Sequence, residues 1–432
     1  MNVQRMGFWA LVAVLLVDFG QVHRMVPGLS LLKPGLISEV ILLCLVLLEL
    51  HTMRWYRSIA VWRFLFLCAI ATGLLFGVTE GRVALILKTE IPRYLTAFLG
   101  TCLFVRRIRD LRVIHNLFIL MAFLIAAYVL THGGHGPGLI KDENDAALVL
   151  VMFLPFAFLK IFFDASGRGR MLALAVFFTT LLAIGLTLSR GGMVGAIPAL
   201  LFCWLKSRNK VIGLGLGVIA LAGALVLAPP SLKQEFVSIG DTDQGTAGTR
   251  RYFWDLSVQM FEERPILGVG ASCWGNALYS GLIEEPERRA HMTPHSVYFQ
   301  VITELGVVGT FFWMGMLASV FFALRSLRGD RLNADAGATL SSDPDPHVLL
   351  KMRADLLFMR NFVPAVTIGI IGYLVCGAFL SVLYYPGLPL FAALAQAAVE
   401  AWRTEMGLAA ALGGGMPEKD GIPAGLRGAL RP

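Results

Sequence analysis

Charge is what this chain has least of. Asp, Glu, Lys and Arg make up 15% of its 432 residues, where a soluble domain carries about a quarter. With 56% apolar residues and a mean hydropathy of +0.70, the chain cannot supply the charged surface that a soluble protein of this length needs. That shortage excludes a cytosolic enzyme and a disordered chain. Cysteine is also scarce, at six residues. Cys44, Cys68, Cys102, Cys203 and Cys376 fall in apolar runs and Cys273 in a polar one. No loop disulfide is expected, the thiols read as buried and inert, and a secreted disulfide scaffold is excluded. Period-2 alternation is missing, which argues against a barrel, and neither a soluble domain nor an internal repeat is evident. The first apolar run lacks a small-x-small cleavage site and reads as a retained span.

What remains is an all-α, polytopic membrane protein, because unpaired backbone groups in lipid each cost several kcal/mol and helices pair their own. About twelve segments are apolar enough to cross or nearly cross a bilayer: 7–22, 36–50, 60–78, 92–105, 113–131, 146–163, 171–188, 191–205, 211–227, 297–324, 362–383 and 388–402. The net charge of +8 reflects basic loops rather than nucleic-acid binding. Every second connection is basic: Arg54/Arg57/Arg63, Arg106/Arg107/Arg109/Arg112, Arg168/Arg170, Lys206/Arg208/Lys210 and Arg325/Arg328/Arg331. Those connections are expected on the cytoplasmic side together with both termini. The organisation that follows is nine spans in 1–227, a large outer loop at 228–296, and three spans in 297–402. A cytoplasmic linker at 325–361 interrupts the last three, and a disordered tail occupies 403–432. Asp18 and Glu39 stand as intramembrane acids without an evident partner.

Two constellations fall at the outer ends. Ser189-Arg190-Gly191-Gly192 opens a helix, so Arg190 sits beside free N–H groups and a positive dipole end, and the glycines allow a ligand close to the backbone. A snorkelling arginine with a glycine turn fits the same residues. The outer loop carries Gly248-Thr249-Arg250-Arg251-Tyr252-Phe253-Trp254 leading an amphipathic helix, then Arg264-Pro265 and Gly268-Val269-Gly270. Pro294-His295-Ser296-Val297-Tyr298 and Glu304-Leu305-Gly306-Val307-Val308-Gly309 follow. Arginines suit diphosphate oxygens because their donors form a rigid fork. A histidine can take a proton near neutral pH. Ordinary interfacial charges on a surface loop are the alternative.

In this order the motifs resemble the O-antigen ligase/polymerase superfamily: Ser-Arg-Gly-Gly, Arg-x-x-x-Trp, Arg-Pro-Ile-Leu-Gly-Val-Gly, then His-Ser-x-Tyr with Glu-x-Gly-x-x-Gly. The stretch covers roughly 181–312, and Tyr384-Tyr385-Pro386 fits relatives from exopolysaccharide clusters. The commonest family form has Asn where this chain has Ser296. The resemblance implies a GT-C-like membrane glycosyltransferase in the cell inner membrane. Its donor would be an undecaprenyl-diphosphate-linked glycan, used outside the cytoplasm without metal, nucleotide sugar or other cofactor. The acceptor would be lipid A–core in a ligase, another lipid-linked repeat in a polymerase, or a protein hydroxyl. Carried over residue by residue, Arg190 and Arg250 correspond to diphosphate-binding arginines and His295 to the base or orienting group. Arg251, Ser189, Gly191, Tyr298 and Glu304 are the further substrate-binding candidates. A glycan transporter is the reading from a different class, disfavoured because the informative residues crowd one face and no repeat is found.

Other candidates are weaker. Asp241-Thr242-Asp243 has the form of a metal-binding Asp-x-Asp but reads as a solvated turn. His291/His295 and His132/His135 have ligand-like spacing without obvious acidic partners. Asp142-Glu143-Asn144-Asp145 reads as a helix cap or a sugar contact. Trp254 and Tyr298 read as packing or interfacial residues before sugar platforms.

Overall fold

The computed structural model describes residues 2–53, 59–164, 166–227, 246–278, 280, 282, 293–339 and 345–412. Among the described residues the ordered elements are helical and no strand forms. The long helices are α1 Val3–Val14, α2 Pro34–Glu49, α3 Ile59–Phe76, α4 Glu80–Glu90, α5 Thr96–Phe104, α6 Ile108–Thr131, α7 Glu143–Phe163 and α8 Gly167–Leu186. They continue with α9 Arg190–Lys206, α10 Lys210–Leu227, α11 Thr246–Glu263, α12 Val297–Ser326, α13 Gly329–Thr339, α14 Pro346–Gly377 and α15 Gly387–Leu412.

Seven of the described segments are long and apolar enough to cross a membrane: Leu29–Thr52, Ile59–Phe76, Ile108–Thr131, Glu143–Phe163, Gly167–Leu186, Val297–Ser326 and Pro346–Gly377. The other expected spans coincide with shorter, interrupted or more polar helices. The first is α1 continued by a π-helix, Leu15–Phe19, and the fourth is a π-helix, Ile91–Leu95, followed by the nine residues of α5. Arg63 is buried within α3 and lies over the Phe66 ring, not in a basic turn. The linker expected at 325–361 instead forms α13 and the first half of α14, which buries Met352, Leu356, Phe358 and Met359. The tail expected from 403 is helical as far as Leu412; residues 413–432, like Arg54 and Arg57, lie outside the described residues.

The helix α7 is the hub. It is apolar on every side, as a helix surrounded by others must be, and 83% of its most apolar window is buried. It packs on α14, α8, α9 and α6. Phe153 of α7 stacks with Phe118 of α6 and Phe391 of α15, and Phe156 meets the same two rings edge-on, with centroids 4.8 to 6.3 Å apart. Small residues let the backbones approach, since association in lipid gains from close packing more than from excluding water. A Cβ on Gly369 of α14 would lie 2.7 Å from the Met152 carbonyl of α7 and 2.4 Å from the Phe391 ring.

Among the others, α1, α2 and α5 pack mutually, α15 packs on both α5 and α14, and α3 packs on α12. Glu39 does find company there: Arg93 Nε is 3.6 Å from its Oε1. Following the chain through α6 to α10, the connections alternate between two ends. Arg106–Arg112, Arg168/Arg170 and Lys206–Lys210 fall at one end, and Asp142, Arg190 and Ser296 at the other.

Replacing Gly369 with Val should lower stability by about 1–3 kcal/mol, the usual cost of overpacking. The check is the thermal unfolding midpoint of purified protein in detergent. An unchanged midpoint would show that the α7–α14 contact is looser than described.

Candidate functional site

Helix α12 crosses the bundle with a break. Gly306 has φ 60° and ψ −163°, which removes helical carbonyl and N–H partners on both sides of it. A buried backbone group left unpaired costs as much as a lost hydrogen bond, and the Arg264–Gly270 loop fills the gap. Val269 N–H donates to Thr303 O (3.0 Å), Gly270 N–H to Glu304 O (2.9 Å), and Val307 N–H to Pro265 O (2.9 Å). Only glycines fit: a Cβ on Gly306 would lie 2.4 Å from Ile266 O, and one on Gly268, at φ 72°, would lie 2.5 Å from the Glu304 carbonyl carbon. Arg264 Nη1 donates to Phe76 O at 2.7 Å, capping the end of α3. The Arg-Pro-Ile-Leu-Gly-Val-Gly and Glu-x-Gly-x-x-Gly motifs are thus two halves of one structural joint.

Glu304 completes that joint. Its carboxylate is buried, at 2% exposure, and accepts from the Ser272 N–H (2.7 Å) and the Tyr384 hydroxyl (2.6 Å). Gln300 Oε1 accepts from Leu383 N–H at 3.1 Å. The turn between α14 and α15 is therefore pinned to α12. Glu304, expected to bind substrate, is held by the protein itself.

Helix α11 lies across α12 and brings its arginines to the same end. Phe253 packs edge-on against Trp274 (5.5 Å), whose Nε1 donates to the buried Ser257 hydroxyl at 2.9 Å. Trp254 stacks on Phe299 (5.2 Å) and its Nε1 donates to Pro294 O at 3.0 Å. That bond fixes the turn before His295, which itself stacks on Phe253 at 6.3 Å. Trp254 is hence a positioning residue. His295 has φ 48°, a left-handed conformation that costs a non-glycine residue about 1–2 kcal/mol. Of the four other described non-glycine residues with left-handed backbones, Gln21 and Lys33 lie elsewhere, whereas Leu188 at φ 54° precedes Ser189 and Ser272 at φ 58° donates its N–H to Glu304.

The third wall is the joint start of α7 and α9. Ser189 caps α9 by accepting from Gly192 N–H (3.1 Å) and donates to Asn144 Oδ1 on α7 (2.7 Å). The glycines after Arg190 face helices: a Cβ on Gly192 would meet Ala147 of α7 at 2.4 Å, and one on Gly191 would meet Phe379 at 3.2 Å. Ser189 and Gly191, expected at the substrate, are buried where α7, α9 and α14 meet. The Tyr298 hydroxyl donates to Leu374 O near the end of α14 (2.9 Å). This satisfies one of the carbonyls that a helix end leaves without a partner.

Three expected residues do come together. The charge of Arg190 bears on Arg250, and that of Arg250 on His295. Burial, reinforced by Arg190, holds the Arg250 guanidinium below its usual range. The surrounding protein and then the Arg250 charge push the His295 imidazole down from its ordinary value, opposed by Asp142. Half-buried Arg250 makes no hydrogen bond or ion pair with the described residues. Arg251, one residue on, faces solvent. Two cations and an imidazole whose pKa is lowered, beside a helix N-terminus, make an arrangement able to hold an anion.

Asp142 caps α7 through Asn144 N–H (2.8 Å), and His135 pairs with Glu143 (3.2 Å). His132 stacks on Tyr128 instead, so the His132/His135 spacing does not make a ligand pair. Among the described residues no three His, Cys, Asp or Glu side chains gather as metal ligands. Asp241–Asp243 and His291 lie outside the described residues. Sequence reasoning missed Ser272 and Gln300; polar residues near a glycine break were the available signal.

Residues 175–314 match the family model described as O-antigen ligase. No curated protein matches the chain. The matched stretch holds the Ser189–Arg190, Arg250, His295 and Glu304 motifs and supports a likeness to the O-antigen ligase-like superfamily.

Replacing Tyr384 with Phe removes one of the two donors above to the buried Glu304 carboxylate. A hydrogen bond to a charged group is worth about 1.5–3 kcal/mol, so the thermal midpoint should fall accordingly. An unchanged midpoint would detach the α14–α15 turn from the joint.

Proposed function

We propose that this protein moves a preassembled glycan from an undecaprenyl diphosphate carrier to an acceptor hydroxyl at the His295 end of the bundle. That end is assigned to the periplasmic side of the inner membrane, because the opposite end holds the basic turns. The acceptor is lipid A–core, which makes the activity that of an O-antigen ligase. The observation that carries the reading is the electrostatic triad: Arg190 beside Arg250, and Arg250 beside a histidine held neutral.

The chemistry follows from those charges. The acceptor oxygen attacks the anomeric carbon, the bond from that carbon to the diphosphate oxygen breaks, and both electrons leave with the diphosphate. Arg190 and Arg250 stabilise the charge that accumulates there, in surroundings where water screens it poorly. The acceptor proton passes to the imidazole of His295. Lowering the His295 pKa keeps that nitrogen unprotonated near neutral pH and ready to accept. No step requires a metal. The lipid tail of the donor runs among the helices, which accounts for a cationic site at the membrane boundary.

Purified protein given lipid-linked donor and lipid A–core should transfer glycan in the presence of EDTA. His295→Ala should slow transfer by ~10²–10⁴-fold, and Arg190→Ala or Arg250→Ala by ~10²–10³-fold, with all three variants still inserted. Full activity in the three variants, or abolition by chelation, sinks the assignment. Product formed only on a second lipid-linked repeat would make the enzyme a polymerase.

The rate should rise with pH through an apparent pKa below the ordinary histidine value of about 6.5 and then level off. In Arg250→Gln the residual activity should show that limb moved to higher pH, because the cation that disfavours protonation is gone. A limb that stays in place would separate Arg250 from His295.

A further inference from the structure

The arginines at the end opposite His295 are not evenly spread. A cleft of about 440 Å³ opens between the start of α1 and the turn joining α5 to α6, and Arg5, Arg106, Arg107 and Arg109 line it. Asp110 is the one carboxylate on its wall, and it is already committed. It accepts from the backbone N–H groups of Arg106 (3.3 Å) and Arg107 (3.0 Å) and stands 3.7 Å from Arg109 Nε. Arg106 is held by Leu103 O and Thr52 Oγ1, each at 2.8 Å. Arg5 is exposed and has no hydrogen bond or ion pair with the described residues. Four guanidinium groups thus share one cleft with one carboxylate.

The floor of the same cleft is apolar. Phe8 and Phe104 are buried beneath it, and Trp9 stands on the lip at 47% exposure. The 24 residues of α6 separate this cleft from the Asp142 end by about 36 Å at 1.5 Å per residue, which is close to one hydrocarbon thickness. The cleft therefore lies at the headgroup level of the opposite leaflet. A soluble anion would use the arginines and leave the aromatic floor and lip idle. A phospholipid uses both.

We propose that this cleft binds an anionic phospholipid, with its phosphodiester on Arg5, Arg107 and Arg109 and the start of its acyl chains against Phe8 and Trp9. Guanidinium forks match phosphate oxygens, and basic pockets between membrane helices hold lipid headgroups in this way. The proposal does not depend on the transfer reaction. A merely topological role for these arginines would predict no saturable lipid site.

The test titrates the purified full chain in neutral detergent with phosphatidylglycerol, phosphatidylcholine or inorganic phosphate, reading bound lipid by native mass spectrometry and stability by thermal shift. Phosphatidylglycerol should fill one site at least about tenfold more tightly than phosphatidylcholine, since each basic residue near the surface contributes measurably. The triple variant Arg5→Gln, Arg107→Gln, Arg109→Gln should lose that preference, and the corresponding Lys triple should keep most of it. Should the Gln triple fail to fold, Arg5→Gln alone must still weaken phosphatidylglycerol binding by about threefold or more. Equal binding of the two lipids, or undiminished preference in the Gln variants, overturns the proposal. Phosphate binding as tightly as phosphatidylglycerol also overturns it, by assigning the cleft to a soluble anion.

Discussion

A break in a helix that crosses an apolar bundle must have its backbone groups satisfied by something other than water. At Gly306 that something is the Arg264–Gly270 loop, which lends N–H groups to Thr303 O and Glu304 O, and accepts from Val307. The Glu304 carboxylate then ties the joint to Ser272 and Tyr384. Everything at this end depends on the arrangement, because α11, the His295 turn and the α14–α15 turn all take their places from α12. A polar cluster buried this deeply is useful only when its donors and acceptors are matched, and the glycines at 268 and 306 leave the room for that match.

The site built on the joint has the opposite character. Arg190 and Arg250 repel one another, Arg250 has no acid partner among the described residues, and His295 is kept from protonation by the same field. Such an arrangement lowers the stability of the empty protein and rewards the arrival of negative charge. Its backbone strain, at Leu188, Ser272 and His295, belongs to the same account. Packing elsewhere has to offset it, and the largely buried α7, with its phenylalanines packed on Phe118 and Phe391, supplies much of that apolar contact.

Charge is divided between the two ends, and the ends treat it differently. At the His295 end a few cations are framed by aromatic residues and helix starts. At the other, many arginines sit on turns, and some are paired, as Arg112 is with Asp355 at 2.9 Å. The first arrangement concentrates a field on one point. The second meets a charged surface broadly, with one cleft where the charge outruns its partners.

Composition and the order of motifs by themselves determined a helical membrane protein and singled out Arg190, Arg250 and His295 as the residues on which the proposed chemistry rests. Scarce charge and long apolar runs act locally, and arginine and histidine carry their chemistry wherever they stand. The sequence could not tell which motif residues face a ligand and which face another helix. Ser189, Gly191, Tyr298 and Glu304 read as binding residues, and the structure gives them contacts within the protein: a helix cap, a packing contact, a bond to Leu374 O and a buried carboxylate accepting from Ser272 and Tyr384. Their partners, among them Asn144, Ser272 and Tyr384, lie 32 to 80 residues away along the chain. Linear spacing reports what is near within a few helical turns; hydrogen bonds between segments this distant exist only once the helices have packed, and the tertiary structure alone decides them.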